Sequence, residues 1–286
     1  MSIDHLAGRS YGPFSVAVTP QLVSAYVAAT GDDPIRWTTF APPSIASVAL
    51  FAAAPEFLFG SDVGDYNRIL LHADQTFEWH RPVLIGSELA VTATVERIRE
   101  RGGMAFVSFG AAIVDHGGEP VISSSSTFIM SPEAPPASDA EQVEPDVHRR
   151  GDNQIVRPER MPSAGSAIAP VSKSASRADL VRYASASSDF NPIHWDHATA
   201  RAGGLPRVIC HGLLLAAWLF QAAGRHTDAP VPLSRASVRF KKPLLAGDSG
   251  RISGTVTAMD STAAQVDMTL ASAGEVCVTA QVRVTR

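Results

Sequence analysis

The spacing of apolar positions changes from a helical to a strand period, breaks off, and then begins again. Thr19-Pro20 opens a segment, Gln21 to Thr30, with Leu22, Val23, Tyr26 and Val27 on one side. A proline at its start and Gly31 at its end predict a helix between about Thr19 and Gly31. Gly31-Asp32-Asp33-Pro34 is a turn cluster. Pro42-Pro43 then precede Ser44 to Ala53, which is apolar all round and predicts a buried helix. Beyond Gly60 to Asn67, four stretches are rich in β-branched and aromatic residues: Leu71 to His80, Glu88 to Arg97, Met104 to Val114 and Pro120 to Met130. Glycines punctuate them, and they predict four antiparallel strands.

From Ser131 to about Ser163 the chain is rich in Pro, Glu, Asp, Ser and Arg without periodicity, which predicts an exposed linker. The first pattern then returns. Ser176 caps a segment holding Leu180, Val181 and Tyr183. A turn cluster follows, then the fully apolar Leu213 to Ala223. Four more strand-like stretches run Leu233 to Lys242, Gly250 to Met259, Ala264 to Ser272 and Glu275 to Thr285.

The halves align at particular residues. Tyr26 answers to Tyr183, Asp32 to Asp189, Pro34-Ile35 to Pro192-Ile193 and Trp37 to Trp195. Arg81-Pro82 and Gly86 answer to Lys242-Pro243 and Gly247. The slow drift of these offsets is that of a duplicated unit with small insertions. We therefore expect an α+β chain: a first repeat over 1–130, a linker over 131–163 and a second repeat over 164–286. Each repeat should be a long buried helix wrapped by an antiparallel sheet, with edge strands joined into one continuous sheet so that no edge stays exposed.

Composition narrows the setting. The 286 residues suffice for a large core, and a net charge of −4 with 18% charged residues gives no global attraction to nucleic acid or an anionic membrane. Cys210 and Cys277 form no disulfide framework, which suits a reducing cytoplasm. The first residues lack a basic stretch followed by an apolar run, and no apolar stretch approaches the ~20 residues needed to span a bilayer.

The candidate chemistry sits in the second repeat, in Asp189-Phe-Asn191-Pro192-Ile-His194 and in His211-Gly212 ahead of the apolar helix. A carboxylate and an imidazole this close, near a helix N-terminus, suit proton transfer beside a developing negative charge. These residues resemble the MaoC-like (R)-specific enoyl-CoA hydratases and 3-hydroxyacyl dehydratases, which have the hot-dog fold. The likeness covers the second half closely and extends to the first as the degenerate repeat of double-hot-dog members. The first half is also similar to the dehydratase domain of type I fatty acid synthases. The resemblance implies a tandem (double) hot-dog fold and a hydro-lyase acting on trans-2-enoyl-CoA or (R)-3-hydroxyacyl-CoA. It implies Asp189 and His194 as the catalytic pair, Asn191 steadying the site, and the Gly212 N–H turned to the thioester carbonyl. The substrate is then an acyl-CoA or acyl-carrier-protein thioester, with no cofactor or metal, in a monomer or homodimer.

The residues themselves are consistent with this. Asp189 and His194 can hold one water between them, and Asn191 can orient the pair or the water. Gly212 offers an unpaired N–H at the positive end of a helix dipole and leaves room for close approach. Which of Asp189 and His194 carries each proton stays open. Arg239, Lys241 and Lys242 are candidates for the phosphates of CoA or phosphopantetheine, with Arg207 and Arg81 behind them. On a strand, Arg239 and Lys241 would share a face and Lys242 the other. His211 reads either as a further substrate contact or as a residue fixing the loop.

Blander readings stand beside these. Asp-x-Asn-Pro is also an ordinary Asx turn, and Cys210 an ordinary core cysteine. His194-Trp195-Asp196-His197 lacks the i, i+4 spacing of helical zinc motifs. In the first repeat Arg36 stands where His194 does and Pro43 near the His-Gly position, so that half should be catalytically silent, its helix widening a tunnel for the acyl tail. The rival functions are a carrier-protein or specialised acyl-thioester dehydratase and, from another class, a non-catalytic acyl-thioester binding subunit.

Overall fold

The computed structural model describes residues 2–133, 135–138, 151–152 and 155–286. In the first half, strand β1 (Ser10–Ala17) leads into helix α1 (Pro20–Thr30), then a 3₁₀ turn over Pro43–Ile45 and helix α2 (Ala46–Leu58). Strands β2 (Ile69–Trp79), β3 (Glu88–Arg101), β4 (Met104–Val114) and β5 (Pro120–Ser131) follow. The second half repeats the plan: β6 (Ala167–Ser174), α3 (Arg177–Ser187), the short α4 (His197–Ala202) and α5 (Gly212–Gly224). It ends with β7 (Leu233–Phe240), β8 (Ser249–Met259), β9 (Ala263–Ser272) and β10 (Glu275–Thr285).

All ten strands form one antiparallel sheet in the order β1-β3-β4-β5-β2-β7-β10-β9-β8-β6. Read outward from its middle, the order is the same in both halves. They meet where β2 pairs with β7, from Asp74 opposite Arg239 to Glu78 opposite Arg235. α2 packs on β1 and β3, and α5 on β7 to β10, so each apolar helix is enclosed by its own half of the sheet. This is the expected α+β tandem, with five strands in each half among the described residues rather than four.

The two strands passed over in the sequence, β1 and β6, each carry a proline, Pro13 and Pro170, at a break in pairing. Proline lacks the N–H a ladder needs, so it erases the alternating signal and is tolerated on edge strands. These strands are the two ends of the sheet, so joining the halves removes two edges and leaves two.

The capping chemistry marks the helices as expected. Thr19 accepts from the Leu22 N–H at 3.0 Å, and Ser176 and Asp179 form a reciprocal capping box. α1 ends on Gly31 in the left-handed region, and α3 on Ser188 in the same conformation. The helix expected over Ser44 to Ala53 continues past Pro55 to Leu58.

The repeat is exact enough to carry matching contacts. The Gly86 N–H donates to the Val18 carbonyl at 2.7 Å, and the Gly247 N–H to the Ala175 carbonyl at 2.8 Å, both glycines at φ near +90°. Tyr26 and Tyr183 lie 6.0 Å apart, fully buried, and both hydroxyls reach Ser47 Oγ, so the two repeats are also joined through their helices. Of the linker expected over 131–163, Ser131 belongs to β5, and residues 134, 139–150 and 153–154 lie outside the described residues. Its later part lies against the second half, where Glu159 pairs with Arg225 at 2.7 Å.

Candidate active site

Three local structures bring the candidate residues together. α3 ends at Ser188, whose left-handed turn sends Asp189 back towards the core, where it is 7% exposed. Asn191 then caps the 3₁₀ turn Pro192–His194, its Oδ1 accepting from the Ile193 N–H at 3.4 Å. That turn delivers His194 beneath the loop ahead of α5, where its Nδ1 lies 2.9 Å from the Ile209 carbonyl. A carbonyl only accepts, so Nδ1 carries the proton and Nε2 is left with its lone pair. Asp196, next in line, has its carboxylate occupied as the N-cap of α4.

Burial sets the protonation of the pair. Desolvation pushes the Asp189 carboxyl up to about 7, only partly countered by the Asn191 N–H at 3.4 Å. It pushes the His194 imidazole down to about 4, against the hydrogen bond to Ile209. At neutral pH the site therefore holds a neutral imidazole beside a carboxyl that readily carries a proton. Their environments reverse the order in which the two groups titrate in water.

His211 lies behind this pair. Its ring stacks on His194 at 3.8 Å and 25°, lies 4.8 Å from Tyr183, and its Nε2 is 3.2 Å from the Asp189 carbonyl. It is fully buried, and burial with the neighbouring imidazole holds it well below the ordinary histidine range. The structure thus makes His211 a support for both members of the pair and not part of the cavity wall. By distance alone Asp189, His194 and His211 could hold a cation, since each offers a ligand atom within 4.8 Å of the others.

Gly212 begins α5, where the first N–H groups have no intrahelical partner. A Cβ at this position would meet the Phe240 ring at 3.2–3.4 Å, so the missing side chain first accommodates Phe240.

Asp189, Asn191, His194 and Gly212 all line one cavity of about 330 Å³. Lys241 and Lys242 line it as well, just beyond the end of β7, where both N–H groups donate to the Cys277 carbonyl. Lys242 is paired with Glu275, whereas Lys241 has no ion pair among the described residues. Arg239 is not in the wall. It pairs with Asp74 at 2.8 Å across the β2–β7 junction. Strand alternation therefore does not govern the three cations, because the strand ends at Phe240 and the chain kinks between them. Arg207 is held by Asp248, and Arg81 by Asp115 and Glu119.

The other wall comes from the first repeat, whose helix was expected to widen the tunnel, although its individual residues were not legible in the sequence. Phe51 and Leu58 of α2, Phe59 after it, Leu70 to Ala73 of β2 and Phe128 of β5 close the cavity from the first repeat. No local signal marked these residues: Phe59 and Leu71 are half-exposed in the structure, and single exposed apolar residues are common. Cys210 lines the same cavity as a thiol whose pKa burial raises.

The corresponding place in the first repeat is filled. A void of only about 10 Å³ remains between Asp32, Arg36, Trp37, Pro43 and α5. Arg36 donates to the Thr227 carbonyl at 2.6 Å and lies over Trp37. Pro43 has no N–H to offer. The wholly buried Lys173 donates to the Gly31 carbonyl at 2.9 Å and to Gln221 beside Asp32.

Known proteins share this organisation. The family model of the MaoC like domain matches residues 160–276, and that of the FAS1-like dehydratase domain region matches residues 5–124. The 3-hydroxyacyl-thioester dehydratase X of Mycobacterium tuberculosis is 26% identical over 249 residues, 85% of this chain and 78% of its own length. The UPF0336 protein SCO4636 of Streptomyces coelicolor is 31% identical over 137 residues, 43% of this chain and 91% of its own. A solved MaoC-like dehydratase superposes with a TM-score of 0.82 over 99% of both chains at 23% identity. A Mycobacterium tuberculosis protein described as having a double hotdog fold gives 0.71 over 100% of this chain and 98% of its own, at 13% identity.

Proposed function

Because this chain belongs to the MaoC-like dehydratase family, we propose that it interconverts a 3-hydroxyacyl thioester and the trans-2-enoyl thioester, with loss or addition of water. The observation that carries this reading is the single cavity wall that joins an unprotonated His194 Nε2, a high-pKa Asp189 and the helix-terminal N–H of Gly212.

In the dehydration direction, His194 Nε2 takes the proton from Cα, and the electron pair moves towards the thioester carbonyl. The Gly212 N–H stabilises the negative charge developing on that oxygen. The Cβ–O bond then breaks, Asp189 gives its proton to the departing hydroxyl, and water leaves. The imidazolium proton returns to the Asp189 carboxylate and restores the site. Hydration is the reverse. Because Asp189 and His194 act from one side of the acyl chain, water adds or leaves on one face, which supports a single enantiomer, assigned as (R) by the family resemblance. No metal or redox cofactor enters these steps.

The lysine end suits the phosphates of CoA or of a phosphopantetheine arm, with Lys241 the freer cation, and the apolar end formed by the first repeat suits the acyl chain. The first repeat thus lends a wall while its own site stays silent.

The test is loss of enoyl-thioester absorbance with crotonyl-CoA and a longer trans-2-enoyl-CoA, with product chirality read by (R)- and (S)-specific dehydrogenases. Wild type should turn over and yield the (R) product. Asp189→Asn and His194→Gln should each lose about 10²–10⁴ in kcat while remaining folded. Unaffected variants would overturn the site. Turnover only with carrier-protein thioesters would move the substrate and keep the chemistry, and a folded protein that binds thioesters without turnover would favour a binding subunit.

A further inference from the structure

His211 stands behind the catalytic pair on a single hydrogen bond. Its Nε2 lies 3.2 Å from the Asp189 carbonyl, which only accepts, so Nε2 carries the ring proton. Its Nδ1 is buried and has no hydrogen-bond partner among the described residues. One bond leaves the ring free to turn about it, so the neighbouring rings set its plane. These are His194, stacked on it at 3.8 Å, and Tyr183, tilted against it at 4.8 Å. Tyr183 reaches Asp189 as well. Its carbonyl accepts from Ser187 Oγ at 2.7 Å, and Ser187 Oγ accepts from the Asp189 N–H at 3.3 Å. One residue of α3 therefore bears on both members of the pair, through His211 and through the turn that carries Asp189.

The anchor of Tyr183 lies in the other repeat. Burial raises the phenols of Tyr26 and Tyr183, so each keeps its proton. Tyr26 donates to the Ser44 carbonyl at 2.7 Å and has no second proton to give. In its 2.9 Å contact with Ser47 Oγ, the serine is therefore the donor. That leaves Ser47 Oγ to accept from the Tyr183 hydroxyl at 3.4 Å. Every hydroxyl proton then has one place: Tyr183 to Ser47, Ser47 to Tyr26, and Tyr26 to the carbonyl ahead of α2. All four residues are buried, so a hydroxyl that lost its partner would have no water to replace it. Ser47 also lies one turn before Phe51, on the helix that walls the cavity.

We propose that Ser47 is a positioning residue for the reaction: by holding the Tyr183 hydroxyl, it fixes the His211 ring against His194 and the turn that carries Asp189. The otherwise silent first repeat thereby sets the geometry of the pair. This rests on the reading of Asp189 and His194 as the acid and base of the dehydratase reaction above.

Ser47→Ala and Tyr183→Phe remove the two ends of one hydrogen bond and leave the carbon framework in place. Each should lower kcat for crotonyl-CoA about tenfold, with KM within about twofold and the circular dichroism of the wild type. The double variant should fall no more than about threefold below either single one, whereas independent losses would multiply to about a hundredfold. A loosened stack admits water and relieves the desolvation that holds the two groups apart. The limbs of the kcat/KM profile, near 7 and near 4, should then move towards each other. A mere loss of folded protein would scale the whole profile and leave the limbs in place. NMR titration of isotope-labelled histidines reads the same change without substrate, the His194 signal being the one missing from His194→Gln. A failure of the dehydratase reading shows as a wild type without turnover, and the positioning is then decided by this titration. A His194 pKa that rises in Ser47→Ala supports it, and an unchanged one overturns it. With an active wild type, unaltered kcat, unmoved limbs or losses that multiply in the double variant would overturn it.

Discussion

Asp189→Asn should make the protein more stable, and increasingly so as the pH rises. The carboxyl titrates near 3.8 in the unfolded chain and at about 7 in the folded one, because burial disfavours its charged form. With a folded pKa above the unfolded value, its contribution is intact below pH 4 and is lost as pH rises through 7. By then the native state must hold a buried carboxylate that the unfolded state ionises freely. Each pH interval of one between the two values is worth about 1.4 kcal/mol, so the full cost approaches about 4 kcal/mol above pH 8 and is about 2 kcal/mol at pH 5. Asn has almost the same shape, keeps an acceptor for the Asn191 N–H and never ionises. Urea or guanidinium unfolding of wild type and variant at pH 5 and pH 8, run side by side, measures the difference. All other titrations are common to both proteins and cancel. The gap in favour of Asn should widen by about 2–3 kcal/mol between the two pH values, while turnover is lost at both. A gap that does not change with pH, or a variant less stable at both, would refute the claim that Asp189 is held protonated by burial.

The remaining expectations concern rate and binding. Dehydration by protonated Asp189 and neutral His194 predicts a bell-shaped pH profile for kcat/KM, with limbs near 7 and 4; a kcat/KM still rising through pH 9 would refute a protonated Asp189 as the acid. Lys241→Ala should raise KM for a CoA thioester several-fold in a salt-sensitive manner, whereas Arg239→Ala should not, because its charge is already matched by Asp74. Steady-state kinetics at low and high salt distinguish the two. Gly212→Ala places a methyl group against the Phe240 ring and should lower kcat/KM at least tenfold, and Gly212→Ala combined with Phe240→Leu should recover part of it if that contact is the cause. Asp32→Ala should keep turnover within about threefold of wild type, since its site is filled by Arg36 and Trp37; a large loss in a folded variant would mean the first repeat is not silent.

Much of this was readable from the chain because it depends on local rules. Helix caps, turn residues and period-two stretches are short-range features, and Thr19, Ser176, Gly86 and Gly247 act in the structure as their positions implied. Duplication doubled the signal, since matching residues in two copies expose a shared frame. The spacing from Asp189 to His194 brought two candidate groups together within a single turn. The edge strands β1 and β6 escaped because Pro13 and Pro170 interrupt the alternation on which strand recognition relies.

What the tertiary structure decided is everything that depends on burial and on contacts between the halves. No spacing rule announces that Asp189 titrates near 7 and His194 near 4, because desolvation comes from the whole surrounding core. Arg239 and Lys241 look equivalent along the chain, yet pairing of β2 with β7 gives Arg239 a carboxylate and leaves Lys241 at the cavity. His72, more than a hundred residues before the candidate pair, enters the same cavity only because the two repeats share one sheet. Sequence order states which groups exist and how neighbours turn; only packing in three dimensions decides which of them lose water and which meet.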